Sequence, residues 1–343
     1  MLSRLIRMRW PIPVAGLLVL VAIVGAGVAA TDDGDDKLVI YNGRSHYGDE
    51  QVFDDFEAET GIEVELRGGT GPELYERLLQ EGEDSPADVL VTTDLANLWR
   101  ADQAGLLEPV SSETLEANIP PELRAADGAW WALTTRLRVP MISTERVDPA
   151  LVTSYESLGD PRFAGRTCLR TSANEYNQSL VADMLAKRGA DATREVLESW
   201  MANDPDIITS DSELLAAIAE GDCDVGLTNH YYLGRALQED PGFPVAPAWP
   251  DQDGAGAHTN VSGAGIVAGS DMPAEALALL EYLTGTDAQA LMTAGSEMAA
   301  NPEVPPADHI ADWADVKTDP IAVDEAGPLL DQAVQLMLDV GWR

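Results

Sequence analysis

The sequence predicts an α/β fold of two lobes with a ligand cleft between them and hinge strands joining them. Three observations carry this. Short apolar, β-branched runs alternate with amphipathic helical stretches, which means βαβ units and a mostly parallel sheet. The alternation breaks near residues 131–143, where two strand-like runs follow one another without a helix, as a crossover between lobes requires. Once the N-terminal segment is set aside, about 310 residues remain, too many for one compact core.

The chain opens MLSRLIRMRW and then runs apolar to Ala30. Arg4, Arg7 and Arg9 form a positive start, and Val28-Ala29-Ala30 is a small-residue cleavage pattern, so residues 1–30 read as a secretory signal peptide. The apolar run is long enough to span a bilayer, and an uncleaved anchor is the alternative. Residues 37–42 (KLVIYN) are the first buried strand, and 43–48 (GRSHYG) a glycine-bounded loop. Residues 49–59 put Val52, Phe53 and Phe56 on one helical face, and Gly61 ends that helix. A strand over 62–66 follows, then a helix over 72–81 with Leu74, Leu78 and Leu79 directed inward. Residues 88–91 are a strand and 95–104 a helix ending at Gly105.

Residues 129–133 and 138–143 read as two successive strands. A second α/β set begins with a strand over 166–169 and helices over 178–188 and 192–201. Residues 214–219 and the strand 225–227 complete it, and a helix follows with Thr228 or Asn229 as its N-cap. Residues 261–268 return as a strand after a Gly/Pro/Asp-rich loop. Helices over 274–283, 287–296 and 329–340 close the chain. The expected lobes are therefore discontinuous: 38–137 plus 261–313, and 138–260 plus 314–343.

The formal charge of −38 speaks against nucleic acid and anionic membranes as partners. Acids spread throughout the chain after residue 30, with 45% hydrophobic residues overall, describe a folded protein suited to a saline or alkaline habitat and not a disordered acidic tail. The two cysteines, Cys168 and Cys223, flank probable strands of one region. In an exported protein they suggest one disulfide, with buried free thiols as the alternative. No P-loop, HExxH, CxxC or nucleophile elbow is present, and no general base stands with a nucleophile or cofactor motif, so an enzyme is not expected.

The residues that stand out are tyrosines. The chain has eight, and two lie side by side, Tyr231 and Tyr232, at a strand-to-helix junction with Arg235 one turn on. Tyr176 lies between a strand and a helix, and Tyr47 follows His46 in the first βα loop. In open α/β sheets ligands bind at these carboxyl ends of strands. Of the other histidines, His230 precedes the tyrosine pair, His258 falls in a loop, and His309 is near the C-terminal segment. A phenol titrates near 10, so only a strong Lewis acid deprotonates it at neutral pH, and hard oxygen ligands suit hard ions. Ferric iron is such an acid. Four tyrosinates on Fe3+ leave one negative charge, which Arg235, Arg136 or Arg138 would offset.

The chain resembles the bacterial periplasmic ferric-iron-binding proteins, receptors of ABC importers with a type II periplasmic-binding-protein fold. The resemblance covers nearly all of the chain after residue 30. It is carried by LVIYNGRSHYGDEQVFDDFEAETGIEVEL, PADVLVTTDLANLWRADQAGLLEPV, TTRLRV, CLRTSANEYNQSL and DVGLTNHYYLGRAL. The RSHY loop and the NEYNQSL stretch are similar to the Fut-type subgroup, which uses several tyrosines and no carbonate. The resemblance implies Tyr47, Tyr176, Tyr231 and Tyr232 as ligands to Fe3+, with His46 as a fifth or alternate ligand. Arg136 and Arg235 are implied as cations behind them. It further implies a periplasmic monomer that delivers Fe3+ to an inner-membrane ABC permease. The alternative on the same fold is a receptor for a polyamine or organic anion. There the tyrosines would stack on the solute, and Asp94, Glu175 or Arg235 would fix its charge.

Overall fold

A computed structural model describes residues 37–44 and 50–343. The expected signal peptide over 1–30, and His46 and Tyr47, lie outside the described residues. The chain runs β1 (Leu38–Asn42), α1 (Gln51–Thr60), β2 (Val64–Gly68), α2 (Gly71–Glu81), β3 (Val89–Thr92), α3 (Leu95–Gln103), β4 (Leu107–Glu108), α4 (Glu113–Asn118) and β5 (Trp131–Ser143). It continues β6 (Thr167–Arg170), α5 (Glu175–Arg188), α6 (Ala190–Ala202), β7 (Asp206–Ile208), α7 (Asp211–Glu220), β8 (Val225–Asn229), α8 (His230–Glu239), β9 (Val245–Pro247) and β10 (Ala257–Val267). Last come α9 (Pro273–Leu283), α10 (Thr286–Thr293), β11 (Met298–Ala299), β12 (Thr318–Pro320), α11 (Val323–Ala326) and α12 (Leu330–Asp339).

The strands lie in the order β2-β1-β3-β10-β5-β8-β6-β7. The first three are parallel to one another, as are β8, β6 and β7, while β5 and β10 run antiparallel to their neighbours in this order, and β12 pairs in parallel with the start of β10. The two strands read over 129–133 and 138–143 are one strand. The front of β5 pairs with β10, from Trp131 opposite Ala264 to Leu137 opposite Thr259. Its rear pairs with β8, from Arg138 opposite Asn229 to Ile142 opposite Val225. So β5 belongs to both sheets and joins the two lobes. Its polar residues Thr134, Thr135, Arg136 and Arg138 are all buried, which is why the pattern of its sequence looks interrupted.

Local chemistry explains the helix ends. Gly61 closes α1 with a φ of 75°, the left-handed conformation a side chain would resist. Thr70 and Glu73 cap α2 reciprocally, each side chain accepting from the other's backbone N–H. Leu74 and Leu78 of α2 are buried, but Leu79 is 48% exposed: five residues on from Leu74, it lies about 140° round the helix. The return strand begins at Ala257, four residues earlier than read, so His258 is a buried strand residue and not a loop residue. Its Nδ1 lies 3.1 Å from Asp183 Oδ2 on α5.

Cys168 of β6 and Cys223, just before β8, form a disulfide with their Cα atoms 5.9 Å apart and a sequence separation of 55. Closing a loop of that length stabilises the fold by about 4 kcal/mol through the unfolded chain. The bridge fixes the base of two adjacent parallel strands whose far ends carry Tyr176 and the Tyr231–Tyr232 pair.

Candidate metal centre

β6 and β8 pair in parallel, so α5 and α8 start side by side at their carboxyl ends. Tyr176 is the second residue of α5, and Tyr231 and Tyr232 are the second and third of α8. In a helix interior adjacent side chains point about 100° apart. Here the rings of Tyr231 and Tyr232 lie 4.4 Å apart, tilted by 31°. Side chains lean towards the helix N-terminus, and in its first turn no earlier turn obstructs them. Tyr231 and Tyr176 are buried, and Tyr232 is partly exposed.

Cations surround these phenols. The Arg136 guanidinium stands 5.2 Å from the centre of the Tyr176 ring, and that of Arg235 5.0 Å from the Tyr231 ring. Arg235 is fixed by its Nε, which donates to Gly295 O at 3.0 Å. A further cation, not among those expected from the sequence, stands here. Arg170, at the carboxyl end of β6, stands 6.0 Å from the Tyr176 ring. Burial lowers its pKa, but Asp211 and the phenols of Tyr232 and Tyr176 together raise it above its ordinary value. Its place at the end of a strand feeding a tyrosine loop was the available signal. The fold brings Tyr176, Tyr231, Tyr232, Arg136 and Arg235 to one place.

The facing lobe meets this site through the loop after β3. Thr93 Oγ1 donates to Glu175 Oε1 at 3.1 Å, and Ser179 Oγ donates to Asp94 Oδ2 at 2.8 Å. Burial and the neighbouring Asp94 push the Glu175 carboxyl up to about 7, against the pull of Arg136, Thr93 and Arg170. Asp94 is buried and raised too, chiefly by loss of water. Its oxygens accept from Ala96 N, Ser179 Oγ and Asn260 Nδ2, which commits this carboxylate to the protein.

Asn229 is the N-cap of α8, but its side chain does not cap the helix. Its Oδ1 accepts from Arg138, and its Nδ2 lies 3.5 Å from Tyr231 Oη. His230 is fully buried and turned inward, accepting the Leu137 N–H at its Nδ1. Burial holds its pKa down to about 4. The unfolded chain therefore binds this proton and the native chain does not between about pH 6.5 and 4, so stability is complete above 6.5 and falls as pH drops through that window. Urea unfolding of the iron-free protein is expected to show about 2 kcal/mol less stability at pH 5 than at pH 7.5 from this group. A His230→Phe variant is expected to have a shallower slope over that range, and an equal slope would remove His230 as its source. His309 lies near the C-terminus with Nε2 2.7 Å from Ser296 Oγ.

Among the described residues, the one cluster of three His, Cys, Asp or Glu groups with ligand spacing is Cys168, Asp206 and Cys223. Both of its sulfurs are consumed by the disulfide.

Two lobes joined through β5, with tyrosines at the helix starts that follow β6 and β8, have the architecture of a solute-binding receptor. The chain belongs to the family of bacterial extracellular solute-binding proteins, which matches residues 51–318. Membership makes it a binding receptor and not an enzyme. It is 38% identical over 328 residues to Iron uptake protein A1 of Synechocystis sp., covering 93% of this chain and 91% of that protein. It is similar to the Trichodesmium FutA (IdiA) structure in complex with iron and citrate, with a TM-score of 0.83, 35% identity, and coverage of 90% and 100% of the two chains. Apo FutA2 from Synechocystis superposes with a TM-score of 0.81 at 37% identity, covering 90% and 99%. Among the described residues no helix is long and apolar enough to cross a membrane.

Proposed function

We propose that this protein is a periplasmic receptor that binds Fe3+ between its lobes through tyrosinates and presents it to an inner-membrane ABC permease. The observation that carries this is the gathering of Tyr176, Tyr231 and Tyr232 at two adjacent helix N-termini, ringed by Arg136, Arg170 and Arg235. Helix N-termini and guanidinium groups both favour phenolate over phenol. In this reading Tyr231 and Tyr232 are the anchor, Tyr176 adds a third oxygen, and Tyr47, with or without His46, closes from the other lobe. The lobes are residues 38–137 plus 261–313 and residues 138–260 plus 314–343. The protein acts as a monomer, exported by its N-terminal segment.

A receptor for a polyamine is disfavoured because Asp94 already accepts three hydrogen bonds within the protein, and burial with the neighbouring Asp94 pushes the Glu175 carboxyl up to about 7, which weakens it as a partner for a cation. The test is an absorption spectrum with metal analysis of protein purified from its own compartment. One iron per chain with a visible phenolate-to-iron band is expected. A colourless protein holding an organic solute would overturn the reading.

A further inference from the structure

Arg138 is not one of the cations beside the phenol rings, yet its guanidinium donates to four groups behind the tyrosines. It lies in β5, directly opposite Asn229 of β8, and its side chain is 2% exposed. Its Nε donates to Asn177 Oδ1 at 2.8 Å. Its Nη1 donates to Asn229 Oδ1 at 3.1 Å and to Asp211 Oδ1 at 3.2 Å, and its Nη2 to Leu227 O at 3.3 Å. Asn177 adjoins Tyr176, and Asn229 stands two residues before Tyr231. One planar group thus holds the starts of both tyrosine-bearing helices.

We infer that Arg138 is a positioning residue for the metal: it sets the distance and orientation of Tyr176 relative to the Tyr231–Tyr232 pair. This rests on the tyrosinate reading of the site. A guanidinium presents its donors in a rigid fork, which a lysine cannot reproduce. Each asparagine is oriented by the Arg138 bond to its carbonyl oxygen, which leaves the amide free to work locally. The Asn177 amide donates to Arg170 O and Thr171 O, fixing the loop between β6 and α5. The Asn229 amide faces Tyr231 Oη. Asp211 balances the charge of Arg138 and also pairs with Arg170, which ties the fork to the cation beside Tyr176 and Tyr232. A site organised before the metal arrives loses less affinity to ordering its ligands.

The test compares Arg138→Lys with Asn177→Ser, which removes one bond of the fork together with the two amide bonds to the β6–α5 loop and leaves Arg138 paired with Asp211. The iron-loaded wild type and both variants are titrated with acid and with citrate as competitor, and the visible band is recorded at saturation. In Arg138→Lys we expect one iron per chain, a displaced band maximum and affinity reduced about ten- to a hundred-fold. Iron release should also begin about one pH unit higher. Asn177→Ser should move all three in the same direction by less, and it carries the test if Arg138→Lys does not fold. Variants with a lower melting temperature but the wild-type band, release midpoint and citrate competition would reduce Arg138 to a structural residue and overturn the inference, while the tyrosinate reading stood. A wild type without a visible band would overturn both.

Discussion

Replacing Tyr231 and Tyr232 together by phenylalanine is expected to abolish the visible band and to lower iron affinity by at least about four orders of magnitude. Each phenolate is a strong oxygen ligand to a hard ion, and in the proposed site these two come from consecutive positions of one helix turn, so they would bind as a chelate. Their rings lie 4.4 Å apart on that turn, so little ordering remains to be done when the ion arrives. Phenylalanine keeps the rings and removes only the oxygens. Tyr231 is buried, but the approach of Asn229 Nδ2 to its oxygen is long, at 3.5 Å, and Tyr232 is partly exposed. The fold should therefore survive with a melting temperature within a few degrees of wild type. Metal analysis after dialysis against citrate reads the outcome directly. A double variant that keeps its colour and full affinity would place the iron elsewhere.

The legible and illegible parts of this molecule divide on physical grounds. Helix α1 could be read because its stabilising packing is periodic, with Val52, Phe53 and Phe56 on one side and a left-handed glycine at its end. The tyrosine junctions could be read because a strand, a turn and a helix start are local events. β5 could not be read as one strand, because the partners that make Arg136 and Arg138 tolerable in its interior are distant in sequence. Ser262 receives Arg136, and Asp211 and Asn229 receive Arg138. The same holds for Arg170, whose partner Asp211 is distant in sequence, and for His258, a strand residue in a stretch that reads as a loop. The edge strands β4, β7, β9, β11 and β12 have two or three residues each, too few to carry a period. Leu79 reads as inward because it adjoins Leu78, whereas α2 buries only the side of Leu74 and Leu78.

Acid is expected to release the iron steeply, and the steepness counts the tyrosines. A phenol with an ordinary pKa near 10 is protonated at neutral pH, so each tyrosine that becomes a ligand must give up one proton. The apparent affinity then rises by one power of ten per pH unit for each such ligand. With Tyr47, Tyr176, Tyr231 and Tyr232 bound, the slope should approach four. A fall from pH 7 to pH 5 should then weaken binding by about eight orders of magnitude, once the protonation of the competing chelator is subtracted. A histidine ligand has a different signature, because it is already largely neutral above pH 6.5 and costs a proton only below it. If His46 binds, the slope should therefore steepen by one below about 6.5, and His46→Gln should remove that step alone. Tyr47→Phe should lower the slope by one across the whole range and leave a coloured, weaker complex, since the anchor on α8 is untouched. A slope of one or less in the wild type would mean that phenols are not the ligands, whatever colour the protein has.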